Sequence, residues 1–283
     1  MSTPLLVSTE WLAAHLHDPA LRIVDIRGHV IPASEPPPHY FNHRSDYERS
    51  HIPGAVFVDW VHEITDPADP RHAKIAPPER FEAAMRRAGI SAGTLVVAYD
   101  DAGGMFAARL WWALNYYGHG SVAVLDGGWT KWSAEARPVE AAIPTVAAGD
   151  FTAVPNPAWF RDGAAVQAAL GTPTKLVDMR GAAEFAGESS RAARKGHIPG
   201  AVNQPRSELI GPDGTLLPAD QLRAKFEALG VTDETPEVVF YCNAGVSASF
   251  GLLALRAAGI SAPAAMYDGS WKDWGNDPTK PIA

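Results

Sequence analysis

Three short motifs occur twice in this sequence, in the same order and about half a chain apart. Val24-Asp25-Ile26-Arg27-Gly28 returns as Val177-Asp178-Met179-Arg180-Gly181, and His51-Ile52-Pro53-Gly54-Ala55-Val56 returns unchanged at 197–202. Asp126-Gly127-Gly128-Trp129 returns as Asp268-Gly269-Ser270-Trp271, with Trp132 matched by Trp274. Solenoid repeats have periods of roughly 20–50 residues, so a period of half of 283 residues means a duplicated domain. Each half then has the length of one ordinary domain. Between the copies, residues 138–157 carry Pro138, Pro144, Pro155 and Pro157 without helical periodicity and read as a linker. The expected domains are 1–140 and 155–283. Pro36-Pro37-Pro38 lies in the longer segment of the first copy and reads as a loop within that domain.

Within each copy, short apolar runs alternate with helical stretches. Strands are expected at 21–24, 95–98 and 122–125, and in the second copy at 175–177, 238–241 and 264–267. Helices are expected at 8–16, 78–88, 104–117, 156–170, 219–229 and 249–258. This alternation predicts an α/β fold with two domains, each a mostly parallel sheet flanked by helices. Ligands of such sheets bind beyond the carboxyl ends of the strands.

Charge and cysteine content exclude several function classes. The chain has 24 Lys plus Arg against 32 Asp plus Glu, a net charge of −8, and shows no basic stripe. An acidic surface of this kind argues against nucleic acid as a partner. No apolar run approaches the ~20 residues of a membrane span, and the first residues lack the charged-then-apolar pattern of a secretory leader. A single cysteine makes no internal disulfide, which fits a reducing compartment such as the cytoplasm and gives no thiolate cluster for a metal.

That cysteine, Cys242, directly follows the apolar run at 238–241 and opens Cys242-Asn243-Ala244-Gly245-Val246-Ser247, with a helix expected from about Ala248-Ser249. A strand–loop–helix of this size can curl its backbone N–H groups inward at the positive end of the helix dipole. Negative charge on sulfur is stabilised there, which favours a thiolate, a persulfide or a donor oxyanion. Ala244 and Gly245 let the backbone approach the sulfur, and Ser247 offers a hydroxyl. A lone cysteine after a strand is otherwise an ordinary small buried side chain. The repeat sharpens the contrast, because Asp100 stands at the equivalent place after the matching strand of the first copy. One copy carries a nucleophile and the other a carboxylate.

The paired Asp-x-Arg and His-Ile-Pro-Gly-Ala-Val motifs, Cys-Asn-Ala-Gly-Val-Ser after a strand, and Asp-Gly-Ser-Trp near the C-terminus together resemble the tandem-domain rhodaneses, the thiosulfate and 3-mercaptopyruvate sulfurtransferases. The resemblance covers essentially the whole chain. It implies two rhodanese-like domains, a non-catalytic first and a catalytic second, with no metal and no organic cofactor. It implies that Cys242 takes a sulfane sulfur from a donor as a persulfide. The sulfur then passes to a thiol, to cyanide, or to a reduced thioredoxin-like protein.

Thiosulfate enzymes of the family tend to carry Arg or Lys in the cysteine loop, because a dianionic donor calls for fixed positive charge. Mercaptopyruvate enzymes tend to a small, neutral loop. Asn243, Ala244, Gly245 and Val246 are neutral, so the loop leans to 3-mercaptopyruvate, with thiosulfate as the alternative. Ala244 stands where the family has a serine, which leaves Ser247 as the loop hydroxyl. His72, in Asp69-Pro70-Arg71-His72, matches a histidine of the mercaptopyruvate enzymes and could protonate the departing enolate, since imidazole exchanges protons near neutral pH. The associated acidic residue is missing at Val61, although Glu63 is close. Glu184 stands where the family has an Arg for the donor's carboxylate. The run Arg191, Arg194, Lys195 offers cations instead, with Arg191 the first choice and Arg194 the second.

Three rivals fit less well. A Cys-x5-Arg phosphatase needs a guanidinium to clamp its oxyanion, and Ala248 stands at that position. A papain-like hydrolase has no paired signature here. A non-catalytic rhodanese module would be favoured by loss of the cysteine, and Cys242 is present.

Overall fold

The computed structural model describes residues 3–32, 35–36, 38–70 and 74–283. The chain divides into two compact units at Asn156 and Pro157, with the short segment Pro212–Thr215 grouped with the first and Asp69–Lys74 with the second. Each unit holds one five-stranded, wholly parallel sheet.

The first unit contains β1 (Leu6–Val7), β2 (Leu21–Asp25), β3 (Gly28–Val30), β4 (Tyr40–Asn42), β5 (Val56–Phe57), β6 (Leu95–Tyr99) and β7 (Val122–Leu125). Its sheet runs β1-β7-β6-β2-β5. Its helices are α1 (Thr9–His15), α2 (Arg44–Arg49), α3 (Pro78–Arg87), α4 (Met105–Tyr116) and α5 (Gly128–Ala134). The second unit contains β8 (Phe160–Arg161), β9 (Lys175–Asp178), β10 (Val202–Asn203), β11 (Val238–Tyr241) and β12 (Ala264–Tyr267), in the order β8-β12-β11-β9-β10. Its helices are α6 (Gly163–Ala168), α7 (Ala182–Phe185), α8 (Ala219–Ala228), α9 (Val246–Ala257) and α10 (Ser270–Trp274). The two orders correspond strand for strand, as duplication requires.

The central strands stand where the apolar runs predict them. β6, β7, β11 and β12 are buried almost throughout, because helices cover both faces of a parallel sheet. Two expectations need correction. Residues 156–170 do not form one helix. A 3-10 turn and β8 come first, and only Gly163–Ala168 is helical, capped by the Asp162 carboxylate on the Ala165 N–H at 2.8 Å. α9 begins at Val246 rather than near Ala248, which moves its first turn up against the cysteine. In the longer segment of the first copy, β3 and β4 pair antiparallel. Residues 138–156 lie along the first unit: Glu140 exchanges backbone hydrogen bonds with His51, and Phe151 is buried beside Phe81.

The repeated motifs meet at one place in each unit. The Asp25 carboxylate accepts the Arg27 guanidinium and the Tyr99 hydroxyl, and that hydroxyl accepts the Ile52 N–H of the His-Ile-Pro-Gly turn. Arg27 also reaches the Ser50 carbonyl and lies 4.2 Å from the Trp129 ring centroid. In the second unit Asp178 holds Arg180, the Tyr241 hydroxyl accepts the Ile198 N–H, and Arg180 reaches the Gly196 carbonyl and lies 4.6 Å from the Trp271 ring centroid. Trp132 and Trp274 are fully buried and close the two cores, each donating its indole N–H to a proline carbonyl, of Pro138 and Pro281. The Asp-x-Arg, His-Ile-Pro-Gly and Asp-Gly-x-Trp motifs thus form one ion-pair and aromatic knot, built twice.

Candidate active site

β11 ends at Tyr241, α9 begins at Val246, and the turn between them carries Cys242, which is 4% exposed. The Ser270 hydroxyl fixes this turn. Its Oγ accepts the backbone N–H of Cys242 and of Gly245, each at 3.1 Å, and donates to the Tyr267 carbonyl at 2.8 Å. The next two residues extend the attachment: Trp271 N–H donates to the Cys242 carbonyl and Lys272 N–H to the Asn243 carbonyl, both at 2.9 Å. Gly245 turns the chain into α9 at φ 79°, a left-handed conformation open to glycine.

The first unit shows what such a turn does with charge. Asp100 follows β6 as Cys242 follows β11, and Trp129 N–H meets its carbonyl at 2.8 Å just as Trp271 meets that of Cys242. The Asp100 carboxylate accepts four backbone N–H groups, from Ala102 (2.8 Å), Gly104 (2.9 Å), Phe106 (2.7 Å) and Ala107 (2.8 Å). Burial pushes this carboxyl's pKa up, and the N–H groups, that of Ala107 foremost, pull against it. In the first unit the strand–turn–helix junction therefore gathers amide donors around the side chain that follows the strand. The group at this place is a carboxylate in the first unit and a thiol in the second. The junctions differ by one residue, because α4 starts at Met105 behind a left-handed Gly104 and so leaves a longer turn than the one before Val246.

Ser270 and Gly128 occupy matching places and share a φ of 53°. A Cβ at Gly128 would stand 2.3 Å from the Asp100 carbonyl oxygen, so the first unit requires glycine there. The second unit tolerates a strained serine, and its hydroxyl holds the cysteine turn. Removing that hydroxyl leaves two buried N–H groups without their acceptor. Ser270→Ala is expected to lose about 2–3 kcal/mol of stability, and Ser270→Gly about 1 kcal/mol less, because glycine accepts the positive φ. Urea unfolding of the two variants checks the order; an alanine variant more stable than the glycine one refutes it.

The other expected site residues are distributed as follows. Ala244 and Val246 are buried in the turn, and Ser247 is half-buried in the first turn of α9. The Asn243 amide donates to Glu184 Oε1 at 2.9 Å, while its Oδ1 is buried with no hydrogen-bond partner among the described residues. Glu184, where the resemblance expects a cation, is thus a ligand of the loop itself. Arg191 lies in a turn built on Ser190, whose Oγ accepts the Ala192 N–H and the Trp271 indole N–H, each at 3.0 Å. The Arg194 guanidinium donates to the carbonyls of Gly275, Lys280, Trp274 and Asp277, so four of its five N–H groups staple the C-terminal segment. Lys195 is exposed, with Nζ on the Glu188 carbonyl at 3.0 Å. His72 lies outside the described residues. Glu63 is engaged by Arg87 and by the Asp59 N–H.

Two groups at this site escape a reading of the sequence by motif. Ser270 was legible only as the departure from Gly128 in an otherwise repeated motif. Lys272 sits inside the tryptophan motif, half-buried. Burial first, and then the neighbouring Arg191 charge, push its pKa down to about 8.

The rhodanese-like domain family matches this chain twice, at residues 8–135 and 162–277. The chain belongs to the rhodanese family. This rhodanese is 34% identical over 286 residues to the 3-mercaptopyruvate sulfurtransferase of Escherichia coli K12, spanning 100% of this chain and 99% of the relative. It is 33% identical over 293 residues to the sulfur carrier protein TtuD of Thermus thermophilus, spanning 99% and 96% of the two. The crystal structure of SseA from Escherichia coli, described as a 3-mercaptopyruvate sulfotransferase, superposes with a TM-score of 0.83 at 33% identity, covering 95% of this rhodanese and 99% of SseA. The two-domain α/β fold expected from the repeats and the rhodanese-like domains implied by the resemblance are therefore present. Among the described residues, no group of three or more His, Cys, Asp or Glu could hold a metal ion, and no helix is long and apolar enough to cross a membrane.

Proposed function

We propose that the protein is a sulfurtransferase whose second domain, 155–283, carries a sulfane sulfur on Cys242, and whose first domain, 1–140, is non-catalytic. The observation that supports this reading is the strand–turn–helix junction at Cys242, held by the Ser270 hydroxyl, whose counterpart in the first unit holds the Asp100 carboxylate on four N–H groups. In the first half-reaction the Cys242 thiolate attacks the sulfur of 3-mercaptopyruvate. The carbon–sulfur bond breaks, its electron pair leaves as the pyruvate enolate, and the donor's thiol proton ends on that enolate to give pyruvate. The outer sulfur stays as a persulfide anion beside the loop amides. In the second half-reaction an acceptor, either cyanide or a thiolate, attacks the outer sulfur and releases the Cys242 thiolate.

Within this scheme Asn243, Ala244, Gly245 and Val246 shape the cradle, Ser247 supplies a hydroxyl, Arg191 meets the donor's anionic end, and His72 passes the proton. The neutral loop and the 3-mercaptopyruvate sulfurtransferase among the relatives support 3-mercaptopyruvate as donor. Thiosulfate is the second reading, favoured by the pair of cations, Arg191 and Lys272, next to the turn. A thioredoxin-like protein suits the role of acceptor, and a single unpaired cysteine suits the reducing cytoplasm.

Sulfur transfer to cyanide from each donor, on one preparation, tests the assignment. The expected outcome is a kcat/KM for 3-mercaptopyruvate at least about tenfold above that for thiosulfate, a difference of about 1.4 kcal/mol in transition-state binding. A preference for thiosulfate reverses the donor assignment. Activity with neither donor returns the protein to a binding role.

A further inference from the structure

One tryptophan seats two cations beside the cysteine turn. The Trp271 backbone N–H holds the Cys242 carbonyl, and its indole N–H bonds the Ser190 hydroxyl at 3.0 Å and the Arg194 carbonyl at 3.2 Å. Arg191 follows Ser190 in a turn that this indole fixes, and Lys272 follows Trp271 with its own N–H on the Asn243 carbonyl. The two side chains are close enough for the Arg191 charge to act on the half-buried Lys272 ammonium. Two like charges withdrawn from water at one spot repel, and an anion received beside them relieves that repulsion.

The rest of the rim narrows the choice. The turn from Asn243 to Ser247 has no cation, Glu184 accepts the Asn243 amide, Arg194 gives four of its five N–H groups to backbone carbonyls, and Lys195 points to the Glu188 carbonyl. We propose that Lys272 is a substrate-binding residue that, together with Arg191, recognises the anionic oxygens of the sulfur donor. These oxygens are the carboxylate of a 2-oxo thiol or the sulfonate end of thiosulfate. The proposal rests on the sulfurtransferase reading and assigns to it a specificity-determining residue in the tryptophan motif. Its counterpart in the first unit is the neutral Thr130, next to a turn already filled by Asp100.

The test compares the wild type with Lys272→Gln and Lys272→Arg, using cyanide as acceptor. The donors are 3-mercaptopyruvate, thiosulfate and mercaptoacetone, the same 2-oxo thiol without its carboxylate. Losing one charge-assisted contact is expected to raise KM for the preferred anionic donor about tenfold in Lys272→Gln, with kcat within about twofold. Mercaptoacetone kinetics stay unchanged, and Lys272→Arg recovers most of the loss. A KM that does not move, or an equal loss with mercaptoacetone, overturns the proposal, because the side chain then acts on the loop rather than on the anion. Thiosulfate preferred by the wild type, with its KM raised in Lys272→Gln, overturns the mercaptopyruvate reading and leaves the anion site standing. Calorimetric binding of the leaving anions, pyruvate and sulfite, reads the same site without turnover. The affinity for whichever anion binds falls about tenfold in Lys272→Gln, and no binding by either, or an unchanged affinity, also refutes the site.

Discussion

The Cys242→Ser protein is expected to fold and to transfer no sulfur. Serine replaces the thiol with a hydroxyl of similar size, and the bonds that hold the turn come from the backbone: Cys242 N–H to Ser270, Cys242 carbonyl from Trp271. Stability should therefore change by less than about 1 kcal/mol, the range for near-isosteric changes in a core. Activity should fall by on the order of 10⁴-fold or more, since an alkoxide is not available at neutral pH and no other cysteine exists in the chain to replace it. Two measurements separate the outcomes. The thermal midpoint reports the fold, and intact mass after incubation with donor reports the gain of one sulfur by the wild type and none by the variant. Residual transfer at more than a few per cent of wild type would remove Cys242 from the mechanism.

The second large effect belongs to the buried knot beneath the turn. Asp178 and Arg180 have fully buried side chains, and the guanidinium is hydrogen-bonded to both carboxylate oxygens and to the Gly196 carbonyl. Burial works against the Arg180 charge, yet its neighbours, Asp178 foremost, raise its pKa above the usual arginine value. Removing the carboxylate strands that charge in the core, at about 3–5 kcal/mol. Asp178→Ala should lower the midpoint by roughly 10–20 °C. It should also depress turnover, because Arg180 packs on Trp271, which holds the cysteine carbonyl. Asp25→Ala breaks the matching pair in the first unit, with Arg27 under Trp129. Its cost in stability should be similar, with turnover per folded molecule intact. Scanning calorimetry beside steady-state kinetics checks both halves of the contrast. Equal losses of activity in the two variants would mean that the knot serves only stability.

Much of this architecture was legible because duplication wrote it twice. The apolar runs at 238–241 and 264–267 became β11 and β12 without adjustment, since a strand buried on both faces leaves a continuous apolar signature. The stretch at 156–170 misled because its alanines suit a helix, while pairing of Phe160 and Arg161 with β12 claimed its first part for the sheet. Cys242 was legible as a candidate from its place after a strand. The bonds of Arg194 were not legible, because its partners are four backbone carbonyls, which leave no trace in side-chain identity. Lys272 was passed over because the tryptophans on either side accounted for the motif as packing. Its charge was visible, but its proximity to Arg191 depends on the indole bond to Ser190, a contact across 81 positions of sequence.

The carboxylate of Asp100 has one further consequence. Its charge is bolted to the backbone, so the junction that surrounds it is always occupied and never exchanges its guest. The equivalent junction around Cys242 must accept a visitor, release a leaving fragment and return to its starting state in every cycle, with only a thiol of its own to fill the space between visits. The two halves therefore differ less in shape than in tenancy. One is a permanent complex with itself, while the other is loaded and cleared in every turnover.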